Sequence, residues 1–469
     1  MNQSTRVEPT PPPQKDGAIA RYFRFQELGT NFRTEVIAGT TTFFTMAYIL
    51  VVNPGILSAA IFLNESGDLL GELVIATAIS AAIATAIMGL LANYPFALAP
   101  GMGLNAFFAF SVVIGLGIDW RLALATIFIE GIIFILLTLS NFRAAIITAI
   151  PTCLKRATAV GIGLFIAYIG LSGDPAVGGA GIIVANPDTT TSLGDLGQPA
   201  TLMALFGMLI TTAFIARRIK GGLLWGILAT AVLGWILDIA ERPQGVVAWP
   251  AFPSDLVGQA FVGFSSINTT NIWNLLAVLF VFLFVDLFDT IGTLSGVGIQ
   301  SGMIAENGEL LRANQALMAD AVGTTLGAVL GTSTVTTYIE SASGVSEGGR
   351  SGFASIITAA LFVLAIFFIP LISAIPGFAT APTLVIVGVL MAGSVTGINW
   401  SDPAESIPCF LTILIMPLSF SIAEGLAVGF ITYPLVKAFQ GKAHEISLTV
   451  WILAAIFLLR FILLAAGVI

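Results

Sequence analysis

The 469-residue chain is 57% hydrophobic and only 9% charged, far below the roughly 25% charged usage of soluble domains. That composition excludes a soluble globular protein. Two cysteines and a single histidine, His444, leave no disulfide framework and no histidine proton relay, and the net charge of −8 offers nucleic acid no basic partner.

Residues 1–34 are polar and Pro-rich, without the apolar core of a cleavable signal. Within them, 18–28 mixes aromatic and basic residues in a pattern suited to the inner leaflet. Apolar runs then recur, and about 20 residues suffice to cross ~30 Å of hydrocarbon. Fourteen are counted: 36–60, 72–92, 95–117, 122–140, 144–172 (broken at Pro151), 200–216, 222–240, 273–298, 315–331, 333–348, 352–374, 380–397, 405–421 and 424–438. A last stretch, 446–468, carries Arg460 in its middle and either crosses or lies along the interface. With the N-terminus inside, fifteen of the 18 Lys and Arg fall on the cytoplasmic side, Arg121 and Arg242 fall outside, and Arg460 is unassigned. Such a bias is what the positive-inside rule demands. The expectation is a multi-pass cell-membrane protein with a cytoplasmic N-terminus.

The chain repeats itself. Residues 89–103, GLLANYPFALAPGMG, and 327–341, GAVLGTSTVTTYIES, share one outline at an offset of 238, which also pairs Tyr48 with Asp286. Ile150-Pro151 and Gly163 recur as Ile375-Pro376 and Gly388, and Gly222 and Gly226 as Gly425 and Gly429. Seven spans per unit is an odd number, so the second copy enters the membrane inverted. Such repeats place a transporter's site near the midplane, where their interrupted segments meet. The expected fold is an all-α polytopic membrane protein of about fourteen segments in two inverted seven-span repeats. The boundaries are a 1–34 cytoplasmic segment, repeats at 35–240 and 273–440, an external loop at 241–272, and a C-terminal segment at 441–469.

Charged residues inside spans cost about 2.5–3.5 kcal/mol on insertion scales, so each needs a reason. The eighth span reads FVFLFVDLFDTIGTLSG, with Asp286 and Asp289 at i, i+3 and Thr290 and Thr293 extending that face. The plain alternative is an Asp bonded to a neighbouring Thr. In the tenth segment the β-branched run Thr332–Ile339 reads as strand, and Glu340 stands where a short helix begins, whose free amide groups can bind a polar ligand. Such broken backbone is tolerated at membrane depth only when buried in protein or lining a cavity. In the third segment Pro100, Gly101 and Gly103 break the run, and Asn105 stands near the start of a half-helix. Thr41 and Thr45, at i, i+4, are candidates for the same cavity, although Thr often bonds its own helix. Glu130 reads as an interhelical partner, and Asp238, Asp320, Asp402, Glu405 and Glu424 as span-end residues.

The strings EVIAGTTTFFTMAYILVVNP (35–54), APGMGLNAFF (99–108), VDLFDTIGTL (285–294) and TSTVTTYIESASGVSEGGRSG (332–352) carry a family resemblance. The chain resembles the azaguanine-type branch of the nucleobase–cation symporters, the adenine/guanine/hypoxanthine permeases, over residues 20–440. The resemblance implies a core domain (spans 1–4 and 8–11) moving against a gate domain (spans 5–7 and 12–14), with short third and tenth segments flanking the site. It assigns Asp286, Glu340 and Asn105 as site residues and Asp289 as a further acid of the same motif. It also implies proton-coupled purine import of elevator type. Uracil and xanthine are disfavoured.

The site residues expected are thus Asp286, Glu340, Asn105, Asp289 and Thr45, with Glu340 and Asp286 as proton-coupling groups. No cofactor or metal is expected; the coupling ion is the proton, with sodium as the alternative. Phe44, Phe107 and Phe108 are candidates to pack the base. The expected partners are a purine base, the bilayer and, in a homodimer, a second copy of the chain. The competing readings are an anion carrier of the same architecture, against which the acidic site counts, and a channel. A membrane enzyme lacks any nucleophile–base pair.

Overall fold

The computed structural model describes residues 17–140, 150–173, 179–267, 272–303 and 310–465. Nine helices among them are long and apolar enough to cross a bilayer, and four apolar helices are shorter. The first half begins with α1 (Phe32–Met46), started by Asn31, whose side chain accepts from Thr34 N at 3.1 Å. It breaks at Ala47–Tyr48 and resumes as α2 (Ile49–Leu57), then α3 (Leu70–Ile87). Strand β1 (Leu98–Pro100) precedes α4 (Met102–Ala106), which continues as a π-helix over Phe107–Gly115. Helices α5 (Trp120–Leu139), α6 (Thr152–Ser172), α7 (Pro199–Ala216) and α8 (Gly222–Ile236) complete it. The expected start of the fifth span, 144–149, lies outside the described residues, as do 1–16 of the N-terminal segment.

Between α6 and α7 stands a hairpin, β2 (Ile183–Asn186) with β3 (Thr190–Leu193), where the sequence suggests only loop. Asn186 Oδ1 accepts from Asp188 N at 2.8 Å and Thr189 N at 3.3 Å, the side-chain turn that lets a β-branched run fold back.

The second half follows the same plan. Helix α9 (Ile272–Ser301) and α10 (Ala313–Leu330) lead to β4 (Val335–Thr337) and the short α11 (Ser341–Ser346). After them come α12 (Gly352–Ala365), α13 (Gly377–Ala392), α14 (Pro403–Leu418) and α15 (Ile422–Phe439). The last helix, α16 (Leu448–Ala465), packs along α15. Its Arg460 Nη2 meets Glu424 Oε1 at 2.8 Å, and Phe457 packs on Phe280 and Phe430. Residues 18–28 dock on the protein, with Phe23 and Phe25 against Phe353.

The repeat is visible in the contacts. β1 and β4 pair antiparallel, Leu98 with Thr337, Ala99 with Thr336 and Pro100 with Val335. At the 238-residue offset, Leu98 corresponds to Thr336 and Ala99 to Thr337, so the pairing maps onto itself. Gly163 of α6 packs on its counterpart Gly388 of α13. A Cβ on Gly226 would collide with Thr211, and one on Gly429 would collide with Thr412 in the same way.

Packing divides the helices into two layers. In the core layer α1 packs on α11 and α12, α3 on α10 and α12, and α5 on α9 and α10. In the gate layer α6 packs on α13 and α14, α7 on α8 and α13, and α14 on α15. This is an inverted-repeat fold with core and gate domains.

Candidate functional site

A cavity of about 450 Å³ lies where the two layers meet, within the roughly 300–1,000 Å³ of small-molecule sites. Its core wall is built from the two broken segments and α9. The gate wall is largely apolar, with Ile162 of α6 and Val387, Leu390 and Met391 of α13, while Lys155, Arg156, Thr158 and Ser394 add polar groups.

The broken segments exist because their strands satisfy each other. Beyond the paired residues, Gly101 N donates to Thr334 O at 2.9 Å and Tyr338 N to Ala97 O at 2.9 Å. Side chains reinforce the joint: Ala97 N donates to Ser341 Oγ at 2.9 Å, and Tyr338 Oη to Pro100 O at 2.5 Å. Gly101 permits this closeness, since a Cβ there would run into the Thr336 methyl. Irregular backbone is thereby buried in protein, as membrane depth requires.

Glu340 lines the cavity at the start of α11, as its position in the sequence suggests. Tyr48 Oη donates to its Oε1 at 2.5 Å, and Thr45 Oγ1 reaches its backbone carbonyl at 3.4 Å. Asp289 lines the same wall from α9, near enough to Glu340 for their charges to repel. Its Oδ2 accepts from Thr336 Oγ1 at 3.4 Å. The cavity therefore presents two acceptor groups side by side on the core wall.

The other expected residues stand behind that wall. Asp286 is fully buried and absent from the lining, with Oδ1 3.5 Å from Thr290 Oγ1. Asn105 is buried too; its Oδ1 accepts from Ser333 Oγ, tying α4 to the approach to β4. Thr45 bonds mainly to its own helix, at 2.8 Å to Thr42 O and 3.1 Å to Thr41 O.

Two expectations change. Phe44 is 43% exposed on the outside of the protein, and Phe107 and Phe108 are buried away from the cavity. The aromatic groups in the lining are Phe288, Tyr48 and Tyr338. Asp320 is no span-end residue but a fully buried one within α10, accepting from Thr290 Oγ1 at 2.9 Å. In the sequence Tyr48 stands out only as the repeat counterpart of Asp286, and nothing singles out Phe288. Among the described residues no group of three His, Cys, Asp or Glu side chains converges as a metal site.

A cavity between an inverted-repeat core and an apolar gate wall defines a membrane permease rather than an enzyme. Residues 33–428 match the family model Xan_ur_permease, described as a permease family, and the chain belongs to that family. It is 51% identical over 447 residues to a putative permease of Methanocaldococcus jannaschii, covering 95% of this chain and 99% of that one. It is 45% identical to the guanine/hypoxanthine permease PbuG of Bacillus subtilis, covering 94% and 99%. It is 42% identical to the adenine permease AdeP of Escherichia coli (strain K12), covering 96% and 97%. In fold it is similar to the transmembrane domain of the cyanobacterial bicarbonate transporter BicA, with a TM-score of 0.61 at 15% identity over 85% of this chain and 97% of that one.

Proposed function

We propose that this permease imports purine nucleobases, hypoxanthine and guanine first and adenine as the alternative, by proton symport, with the core domain moving against the gate as an elevator. The observation that carries this reading is the pair Glu340 and Asp289 on one cavity wall. Guanine is a neutral planar ring with adjacent N1–H and exocyclic N–H donors along one edge, and hypoxanthine keeps the N1–H of that edge. A carboxylate accepts two such bonds in parallel, while Phe288 offers an aromatic contact for a ring face. The printed names of the guanine/hypoxanthine and adenine relatives, whose alignments cover almost all of this chain, support the same class of substrate. The likeness to a bicarbonate transporter concerns fold alone, and the core wall offers a ligand hydrogen-bond acceptors, with Lys155 and Arg156 on the gate wall.

Elevator movement is supported by the division of labour between the layers. The strand joint and both cavity acids belong to the core, so the groups that would hold a base can travel as one body past the gate wall.

Uptake of labelled hypoxanthine, guanine and adenine in a purine-transport-deficient bacterium tests the reading. Saturable uptake of at least one base, collapsed by a protonophore and lost in Glu340→Gln and Asp289→Asn, is the expected result. Failure of all three bases with correctly inserted protein overturns it and makes anions the next class to screen.

A further inference from the structure

Glu130 stands in the middle of α5, fully buried, with Asp286 in side-chain hydrogen-bonding reach. Of the titratable groups on the helices packed against α5, Asp286 of α9 and Asp320 of α10 are the ones that act on it. Three carboxylates thus face one another inside the core, and none lines the cavity. With all three ionised, three negative charges would stand together in the core, an arrangement a low-dielectric interior penalises heavily. A proton on the cluster removes one charge and lets one carboxyl donate to the next.

Hydroxyl groups lead from this cluster to the cavity. Thr290 Oγ1 donates to Asp320 Oδ2 at 2.9 Å and lies 3.0 Å from Thr336 Oγ1, which lies 3.4 Å from Asp289 Oδ2. Asp289 and Thr336 both line the cavity.

We propose that Glu130, Asp286 and Asp320 form the site that holds the coupling proton, loaded from the cavity through Asp289, Thr336 and Thr290. The proposal rests on the proton-symport reading above. Asp289, protonated from cavity water, gives its proton to Thr336; Thr336 passes its own hydroxyl proton to Thr290, and Thr290 its own to Asp320. Each hydroxyl loses one O–H bond as it gains another, so only the carboxylates change charge. The proton would then ride in the core while the base occupies the cavity, which separates coupling from recognition.

The test uses the full-length protein in vesicles containing a pH dye, comparing wild type with Glu130→Gln, Asp320→Asn and Thr290→Val. Two readouts are taken: hypoxanthine counterflow, which needs no net proton movement, and accumulation with lumenal acidification under an imposed potential. One proton through 100 mV supports up to about 50-fold accumulation. The expected result is that wild type approaches this ratio, whereas Glu130→Gln and Asp320→Asn exchange hypoxanthine but accumulate none, and Thr290→Val acidifies the lumen more slowly. Acidification unchanged in both acid variants overturns the proton site and leaves symport standing. Wild-type counterflow without any acidification overturns symport, and the site with it. Should the acid variants fail to insert, the infrared carbonyl band of a buried protonated carboxyl decides on wild type alone. A band that shifts on hypoxanthine addition supports the proposal, and its absence overturns it.

Discussion

The hydrogen bond from Tyr48 to Glu340 is the strongest single restraint on a cavity acid. At 2.5 Å to an acceptor at the start of a six-residue helix, it fixes which way the carboxyl points. A hydrogen bond to a charged group contributes about 1.5–3 kcal/mol, and Tyr48→Phe removes it with almost no change of shape. The expected outcome is a rise of roughly ten-fold or more in the KM for hypoxanthine uptake, with surface expression unchanged. A KM within error of wild type would mean that Tyr48 does not position the acid. Glu340 was legible in the sequence because a charge beside a broken apolar segment stands out against its surroundings. Tyr48, Phe288 and Asp320 were not. An aromatic residue in an apolar span carries no contrast, and whether it faces lipid, packing or cavity depends on helix rotation. Asp320 reads as a boundary residue because charge ordinarily marks a span's end, whereas its depth follows from partners such as Thr290 and Thr337.

At the level of elements, close helix contacts depend on glycines that recur in both halves. Helices in membranes approach through small residues, and here Gly226 faces Thr211 as Gly429 faces Thr412. Inserting side-chain atoms into such a contact costs about 1–3 kcal/mol. Gly226→Val and Gly429→Val should therefore each lower the thermal midpoint of the purified protein, and Thr211→Ala should partly restore the first. Equal midpoints in all variants would show that these contacts do not limit stability. The glycine pairs and the strand-then-half-helix segments could be read from the sequence because backbone-breaking residues keep their spacing through duplication. The β2–β3 hairpin is not legible because its Asn-Pro-Asp turn and Thr run share the composition of an ordinary external loop.

For the whole molecule, the decisive feature is that neither half completes its own site. The first repeat supplies β1 and Tyr48, the second supplies β4, Glu340 and Asp289, and the cavity needs both. Inversion itself is legible in an odd span count and in motifs that recur in the same order at falling offsets. The rotation of each helix about its axis was not, because apolar residues cover every face of a membrane helix. The β1–β4 joint also bears on how the protein is made. Leu98 leaves the ribosome long before Thr337, its partner in the ladder. At about 5–20 residues per second, the gap amounts to roughly 10–50 s. Throughout that interval the nascent first repeat sits in the bilayer with an open strand edge, a condition in which membrane quality-control proteases find unsatisfied backbone. A chain stopped before residue 332 should accordingly be degraded within minutes in pulse–chase labelling and be rescued by co-synthesis of the missing part. Persistence of the lone fragment would mean that the first half finds some other cover for its edge while it waits.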